Sequence, residues 1–369
     1  MKENINKKKI LSPINRRKFL AIGAATGMFS AIGAPAVHSS NRSITVGAFG
    51  GYFKDAFDEF VFPEFTKATG IELKSVAQPT SSAWVVQLEQ AARAGKAPAD
   101  VSMIAQAAML MGYPTRLWTP LNVNKIPSSS KVLDQHTNFY DSGELCGVGA
   151  ASWFITLCSN TEIHPTAPDS WKFLWDEKNA DSLGLLALVQ NSFLLEVTAK
   201  TFYGNYDAMN SEEGILELMQ KLSELKSNVK LWYRDEAQFQ NALETGELAA
   251  GQYYHDVTML SAADGKPVRS TFPKEGGIND SGSWAISKAS EKIDEGHEFI
   301  DFMCQPQIQA LMSRMVGTAP IVPKETTDLT DEEFGFVSSE IDPIIPNYAV
   351  QNQKKDWLAQ NWSEIVTAG

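Results

Sequence analysis

A group of polar and aromatic residues ends an apolar segment near the middle of the chain. Leu248 to Gly251 is typical of a buried strand, and the chain then continues into Tyr254, His255 and Asp256. A tyrosine at the open end of a strand offers its ring to a ligand, and a carboxylate pairs with a cation. Asp256 also precedes a predicted helix, where it could instead cap free backbone N–H groups.

Other polar and aromatic residues follow further predicted strands. Because α/β sheets bind their ligands at the carboxyl ends of parallel strands, these residues are candidates for the lining of one small-molecule cleft. Each residue taken alone is also compatible with packing or with a turn. The candidate ligand-binding residues are Phe49, Tyr52, Gln106, Trp153, Gln190, Tyr254, Asp256 and Asp280, with Asn191, Ser192 and Ser281 beside them. Among them, Asp280 and Ser281 are expected to precede the strand-like run SWAIS rather than to follow a strand.

A first α/β unit is predicted to position the candidates in the amino-terminal part. Ser43 to Phe49 is an apolar run that ends at Gly50-Gly51, and a helix pattern follows as far as Gly70. A strand pattern in IELKSVA, a helix from Ala83 to Gly95 and a strand from Val101 to Ala105 complete it. This βαβαβ order predicts parallel strands.

The middle of the chain repeats the alternation of helices and strands. A helix from Asn210 to Asn228 shows capping-box spacing at Asn210 and Glu213, and Asp235 with Gln238 opens another helix that ends at Gly246. The predicted strands there are Leu183 to Val189, Leu248 to Tyr253 and Val268 to Phe272, and a helix begins at Asp256.

The first 36 residues resemble an export signal. Basic residues including Arg16-Arg17 precede a small, apolar run that ends in Ala34-Pro35-Ala36, which is typical of a cleavage site. The paired arginines followed by Phe19-Leu20 resemble a twin-arginine signal, although Asn15 stands where that motif usually has Ser or Thr. We therefore expect residues 1–36 to be removed and the mature protein to be periplasmic.

The charge balance disfavours nucleic acid as a partner. The whole chain has a formal net charge of −12, and residues 1–36 contain seven basic residues and one acidic residue. The mature chain therefore has 25 basic and 43 acidic residues. Polyanion binding requires the opposite sign, so we expect a small-molecule partner and a monomer.

Enzyme and metal motifs are absent from the sequence. It contains no Gly-x-Ser-x-Gly, His-Glu-x-x-His or phosphate loop, and the five histidines are scattered singly. No Cys-x-x-Cys or Cys/His ligand spacing occurs, so no cofactor or metal is predicted. Cys146 and Cys158 are compatible with a disulfide across a hairpin or with buried free thiols, and Cys304 is left alone.

Three long segments resemble spermidine/putrescine-type periplasmic solute-binding proteins of ABC transporters. They are GELAAGQYYHDVTMLSAADGKPVRSTFPKEGG from Gly246, SWAISKASEKIDEGHEFIDFMCQPQIQALMSRMVG from Ser283, and ITVGAFGGYFKDAFDEFVFPEFTKATGIEL from Ile44. The resemblance covers nearly the whole mature chain. It implies a two-lobed type II binding-protein fold, in which each lobe is a mixed, mainly parallel sheet flanked by helices and the ligand lies between the lobes.

The resemblance also implies lobe boundaries and partners. Lobe one is expected to contain residues 37–150 and 283–325, and lobe two residues 151–282 and 326–369. Closure of the lobes on a solute delivers it to the permease subunits of an ABC importer.

The family stacks amines on aromatic rings and pairs ammonium groups with carboxylates. Tyr254 lies where the family has a Trp, whereas Asp280 and Gly282 replace a Trp and an Asp, and Gln190 and Phe193 replace an Asp and a Glu. Two expected ammonium partners are thus missing, unless Asp256 or Asp280 substitutes for one of them.

The sequence therefore predicts a non-enzymatic solute-binding protein, with polyamine-type amines as the leading ligand class. A zwitterionic amino-acid-like or quaternary-amine solute is the second candidate, since the acids suit a single cationic end. Ferric-ion binding is a third, because Tyr253 and Tyr254 resemble the adjacent tyrosines of iron-binding relatives. Alternate strand residues face opposite sides, which disfavours the iron site.

Overall fold

The structure is a computed structural model that describes residues 42–50, 52–79 and 82–367, with the side chains of Tyr52 and Ser82 excepted. The proposed export signal lies outside the described residues. Ten strands of the described part form one mixed sheet with the order β2-β1-β3-β10-β5-β8-β6-β7, and β4 and β9 pair with β5. The strands are β1 Ser43–Phe49, β2 Glu72–Gln78, β3 Val101–Ala105, β4 Thr137–Phe139, β5 Leu145–Asn160, β6 Leu183–Leu186, β7 Val229–Tyr233, β8 Ala250–Tyr254, β9 Val268–Thr271 and β10 Ile278–Ile286.

Helices flank this sheet. The first helical stretch is α1 Tyr52–Ala56, a π-helical turn Phe57–Val61 and α2 Phe62–Thr69, and Gly70 ends it with a left-handed φ of 72°. The other α-helices are α3 Ser82–Ala94, α4 Gln106–Met111, α5 Val189–Ser192, α6 Leu194–Thr198, α7 Glu212–Ser223, α8 Glu236–Glu244, α9 His255–Ala263, α10 Ile293–Met303, α11 Pro306–Met315, α12 Asp331–Val337, α13 Tyr348–Gln353 and α14 Lys355–Trp362.

Of four hydrophobic clusters among the described residues, the two largest mark the two lobes of this α/β fold. One core joins the phenylalanines of the first helical stretch to Trp284 and Phe299, and the other contains Leu183, Leu218 and Trp362. Strands β5 and β10 pass through both: Val148 belongs to the first core and Leu157 to the second. The register of β10 against β5 shifts between Gly282 and Ser283. The predicted two-lobed α/β fold is confirmed.

The predicted parallel βαβαβ unit is confirmed, because β1 pairs in parallel with both β2 and β3. In lobe two, β6 pairs in parallel with β7 and β8. The predicted strand Leu183 to Val189 ends earlier, at Leu186, because Val189 begins a short helix.

One prediction about local structure is wrong, and one pair of open alternatives, for Cys146 and Cys158, is decided. Ser211, not Asn210, caps α7: its side chain accepts from the backbone N–H of Gly214 at 3.1 Å. Both residue types cap helices well, so their order alone did not decide between them. Cys146 and Cys158 form no disulfide, since both are buried free thiols. They lie twelve residues apart on the single extended strand β5, which separates them by about 40 Å.

Candidate functional site

The carboxyl ends of β6, β7 and β8 form the lobe-two edge of the candidate site. Leu186 of β6 pairs with Tyr233 of β7, and Gly184 of β6 pairs with Gly251 of β8. Extending this parallel register brings Arg234 and Tyr254 level with each other on either side of β6. Neighbouring strands lie about 4.8 Å apart, so the backbones of these two residues are separated by about 10 Å.

Tyr254 lies at the centre of this edge. Its half-buried side chain donates a hydrogen bond from the hydroxyl to Oε1 of Glu236 at 3.2 Å. Burial raises the pKa of Tyr254 well above its usual value, and the nearby carboxylates of Glu236, Asp280 and Asp256 raise it further. One carboxylate, that of Glu236, therefore contacts the Tyr254 hydroxyl, and two more act on it through their charge.

Asp256 carries a carboxylate oxygen without a partner. It lies in the first turn of α9, and its Oδ1 is inaccessible to solvent and has no hydrogen bond within the described structure. Burial raises its pKa to about 6 against the pull of the backbone N–H groups of Val257 and Asp256, and Glu236 raises it as well. The predicted N-cap role is wrong, because Tyr254 occupies the N-cap position and makes no side-chain cap bond.

Asp280 lies inside β10, directly across from Trp153 of β5. The prediction of a position ahead of the strand is wrong, because DSGS continues the β5–β10 ladder through the lobe crossing. Oδ1 of Asp280 accepts from the Tyr348 hydroxyl at 2.5 Å and from the Ser281 backbone N–H at 2.8 Å. The Trp153 side chain, across the β5–β10 ladder, also favours the charged form of this carboxyl. Burial raises the pKa of Asp280, and these donors counteract that shift.

Three residues of this edge were missed by the sequence analysis: Arg234, Glu236 and Tyr348. Arg234 and Glu236 follow β7 directly, so the strand-end argument that selected Tyr254 would have found them. Arg234 is exposed and makes no ion pair among the described residues. Tyr348 comes from the carboxy-terminal segment, and no local pattern connects it with Asp280.

The lobe-one candidates lie at the ends of β1 and β3. Phe49 is half-buried, pairs with the Phe53 ring at 6.1 Å, and lines a small cavity with Gln78 and Trp84. Oε1 of Gln78 is buried and has no partner in the described structure. Gln106 opens α4 and donates from Nε2 to Asn138 Oδ1 at 2.5 Å. The side chain of Tyr52 lies outside the described residues.

Gln190 and Phe193 turn toward the carboxy-terminal helices. Gln190 donates from Nε2 to the backbone oxygen of Lys355 at 3.3 Å, and in the described structure no hydrogen bond joins it to Tyr254, Asp256 or Asp280. Phe193 is buried with a positive φ of 53°, and its ring packs edge-on against Tyr348 at 6.0 Å. A positive φ at a phenylalanine is strained, and such strain often occurs at functional sites.

The tyrosine pair does not favour iron. Tyr253 is 4% exposed and packs against the rings of Tyr233 and Phe239, at 6.4 and 4.9 Å. Burial raises the pKa values of Tyr253 and Tyr254, which opposes formation of the phenolates that bind a ferric ion. Among the described residues, no group of three His, Cys, Asp or Glu side chains could hold a metal.

The model of the family described as bacterial extracellular solute-binding protein matches residues 61–334. The chain belongs to this family. Its members are transport binding proteins rather than a class of enzymes; they bind small-molecule solutes and work with the permease subunits of ABC transporters. No helix of the described part of this solute-binding protein is both long and apolar enough to span a membrane.

The names of the curated relatives mention two kinds of ligand. This solute-binding protein is 22% identical over 297 residues to the gamma-aminobutyric acid-binding protein of Pseudomonas aeruginosa, covering 80% of this chain and 81% of that protein. It is also 22% identical over 314 residues to the spermidine/putrescine-binding periplasmic protein 1 of Haemophilus influenzae, again covering 80% and 81%.

A solved structure shows the same fold. The spermidine/putrescine ABC transporter substrate-binding protein of Streptococcus pneumoniae superposes with a TM-score of 0.66 at 18% identity, covering 87% of this chain and 98% of that one. The fold and the family are thus shared, while the two kinds of relative leave the solute to be argued from the site.

Proposed function

We propose that this protein captures a small ω-amino acid, with an ammonium group at one end and a carboxylate at the other, and delivers it to an ABC importer. The observation that carries the proposal is the buried, unpartnered Oδ1 of Asp256, two residues after Tyr254, whose phenol is also affected by the charges of Glu236 and Asp280. A buried carboxylate without a partner is costly, so the site favours a cation.

The ammonium end is recognised by an aromatic ring and acids. A cation above the Tyr254 ring gains about 0.5 to 2 kcal/mol from the ring quadrupole. Asp256 then supplies a charge-assisted hydrogen bond, and Asp280 is held in place by the Tyr348 hydroxyl and the Ser281 backbone N–H as a second acceptor. Asp256 and Asp280 take the part of the acids that the sequence comparison left missing.

Arg234 supports a carboxylate at the other end of the ligand. Its guanidinium is exposed and unpaired in the described structure, and its backbone lies about 10 Å from that of Tyr254 across β6. A four-carbon amino acid and an arginine side chain together span such a gap, and arginine binds carboxylates with two parallel hydrogen bonds. The gamma-aminobutyric acid-binding relative accords with this assignment.

A short diamine is the second candidate, because Glu236 adds a third carboxylate at the same edge. A second ammonium group would then replace the ligand carboxylate and pair with Glu236. The spermidine/putrescine-binding relatives accord with this alternative.

Lobe closure is the proposed mechanism of capture. Strands β5 and β10 connect the lobes, so rotation about them brings Phe49, Tyr52 and Gln106 of lobe one toward Tyr254. A ligand that contacts both lobes stabilises the closed state, which the permease then recognises. We place the lobes at residues 37–150 with 283–325 and 151–282 with 326–369, and the mature protein in the periplasm as a monomer after removal of residues 1–36.

The test is calorimetric titration of the protein from Val37 onward with 4-aminobutanoate, putrescine and spermidine. Arg234→Ala should weaken 4-aminobutanoate binding by more than about tenfold, since it removes a charged hydrogen-bond partner, and should leave putrescine binding unchanged or stronger. The matched control is Arg93→Ala, an exposed arginine of α3. Tight putrescine binding without 4-aminobutanoate binding would establish the second candidate. Binding of none of the three would overturn both.

A further inference from the structure

The buried carboxylate of Glu196 lies outside the ligand-facing edge but bonds the carboxy-terminal segment that contacts Asp280. Glu196 of α6 is 1% exposed. Its Oε1 accepts from the backbone N–H of Asn347 at 2.9 Å and from Nε2 of Gln351 at 2.8 Å. Its Oε2 has no partner in the described structure. Burying a carboxylate is expensive, so this position does more than fill space.

The two groups held by Glu196 lie on either side of Tyr348. Asn347 caps α13 by accepting from the backbone N–H of Val350, and Gln351 lies one turn along that helix. Tyr348 between them donates to Asp280 at 2.5 Å. Three residues before Glu196, Phe193 packs against the same Tyr348 ring. Residues 193–196 therefore contact α13 and its N-cap on both sides of Tyr348, the residue that donates to Asp280.

We propose that Glu196 is a positioning residue for ligand binding, which fixes Asn347 and Gln351 so that Tyr348 holds Asp280 in place for the ammonium group. This inference rests on the proposed function for its last step, the contact of Asp280 with the ligand. The first steps are properties of the ligand-free protein. Glu196→Leu preserves volume but leaves the Asn347 N–H and the Gln351 amide without their acceptor, whereas Glu196→Gln keeps one oxygen acceptor.

The ligand-free test follows the Trp153 indole N–H, because Trp153 lies directly across the β5–β10 ladder from Asp280 and acts on its carboxyl. In two-dimensional ¹⁵N NMR, assigned with Trp153→Phe, Glu196→Leu should shift the Trp153 indole resonance and speed amide exchange at Asn347 by about tenfold or more. Glu196→Gln should leave both close to wild type. Thr198→Val is the control for destabilisation alone, because within the described residues its buried hydroxyl bonds only the Leu194 oxygen on the same helix. An unmoved Trp153 resonance in Glu196→Leu would overturn the proposal.

The ligand-bound test uses 4-aminobutanoate and putrescine as probes. Glu196→Leu should raise the dissociation constant about tenfold for whichever probe binds, with rescue by Glu196→Gln. Tyr348→Phe should weaken binding similarly, and the double variant Glu196→Leu with Tyr348→Phe should be no weaker than Tyr348→Phe alone, since both act on Asp280. Additive losses would overturn the proposal. If wild type binds neither probe, the proposed function fails. The Trp153 indole resonance and the Asn347 amide exchange rate then still test whether Glu196 positions Asp280.

Discussion

At the scale of single residues, Asp256 decides the electrostatics of the site. Its carboxylate is buried away from water. One of its oxygens, Oδ1, has no hydrogen bond in the described structure. Besides burial, its pKa is shifted by the backbone N–H groups at the start of α9, which lower it, and by the carboxylate of Glu236, which raises it. A ligand cation would provide the partner that the protein does not.

The raised pKa of Asp256 predicts pH-dependent binding. With a pKa of about 6, the carboxylate is ionised above pH ~7 and mostly protonated near pH ~5, so affinity for an ammonium ligand should fall about tenfold between those values. Isothermal titration of 4-aminobutanoate or putrescine across this range measures the fall. In Asp256→Asn binding should be weak and flat with pH, while Asp169→Asn, an exposed aspartate, should behave as wild type.

The same shift has a consequence for stability without ligand. The pKa of Asp256 in the folded protein lies above the ordinary value of 3.8, so the protonated carboxyl favours the folded state. This contribution to the free energy of unfolding is complete below pH 3.8 and is lost as pH rises through about 6. Asp256→Asn should therefore gain thermal stability relative to wild type between those pH values. A constant difference in melting temperature across this range would contradict the burial of this carboxyl.

Tyr254 is expected to contribute to binding rather than to the core. Its ring is half-buried, and its hydroxyl reaches Glu236 at the exposed edge. Tyr254→Ala should weaken binding by more than about tenfold, while the ligand-free melting temperature changes little. Tyr254→Phe keeps the ring and should lose much less. An unaltered affinity in the alanine variant would assign the ring to packing alone.

At the scale of elements, strand β8 depends on a close approach to β6. A Cβ added at Gly251 would lie 2.0 Å from the backbone oxygen of Gly184 and 2.7 Å from the Phe239 ring. Backbone atoms cannot move aside as a side chain can, so the strand carrying Tyr254 would have to shift.

Gly251→Ala should therefore lower the free energy of unfolding by about 2 kcal/mol or more, and thermal denaturation measures it as a loss of several degrees. The control is the same substitution at Gly335 in α12, where a Cβ would meet nothing within 4 Å. Gly335→Ala should be neutral or slightly stabilising, because alanine favours a helix over glycine. Equal effects at the two positions would show that the approach of β6 to β8 is not tight.

Local patterns predicted some elements and not others. Strand β3 and the parallel unit around it follow from apolar runs and helical spacing, which depend only on neighbouring residues. Asp280 was misplaced because Asp, Ser and Gly together are typical of a turn, whereas pairing with β5 on one side and β3 on the other extends β10 through them. Trp153 and Asp280 were both named as candidates, but their contact is a property of that pairing.

The role of the carboxy-terminal segment was beyond sequence reasoning. Tyr348 and Asp280 lie 68 residues apart, and Glu196 and Asn347 are separated by 151 residues. No periodicity connects such positions, because the contacts arise only when the second lobe is assembled. The family resemblance covered the strands and helices of both lobes, while the acids that face Tyr254 differ from the family pattern.

At the scale of the whole molecule, α13 connects the lobes. Glu196 anchors it in lobe two, and Asn352 near its end donates from Nδ2 to the backbone oxygen of Ala107 at 3.1 Å. Ala107 lies in α4, directly after β3 of lobe one. The bond from Asn352 to Ala107 thus crosses between the two lobes and must break if they separate at this point.

Asn352→Ala should therefore shift the ligand-free protein toward more open conformations. A hydrogen bond contributes about 0.5 to 1.5 kcal/mol, so its loss should change the ratio of closed to open molecules by about two- to tenfold. Pulsed electron resonance between spin labels at exposed Glu59 and Glu217, one on each lobe, measures this as a longer average distance. The matched control is Gln353→Ala, an exposed side chain on the same helix. Because closure and binding are linked, ligand affinity should fall in proportion to the closed population, whereas an unchanged distance distribution would mean that α13 follows lobe two without restraining lobe one.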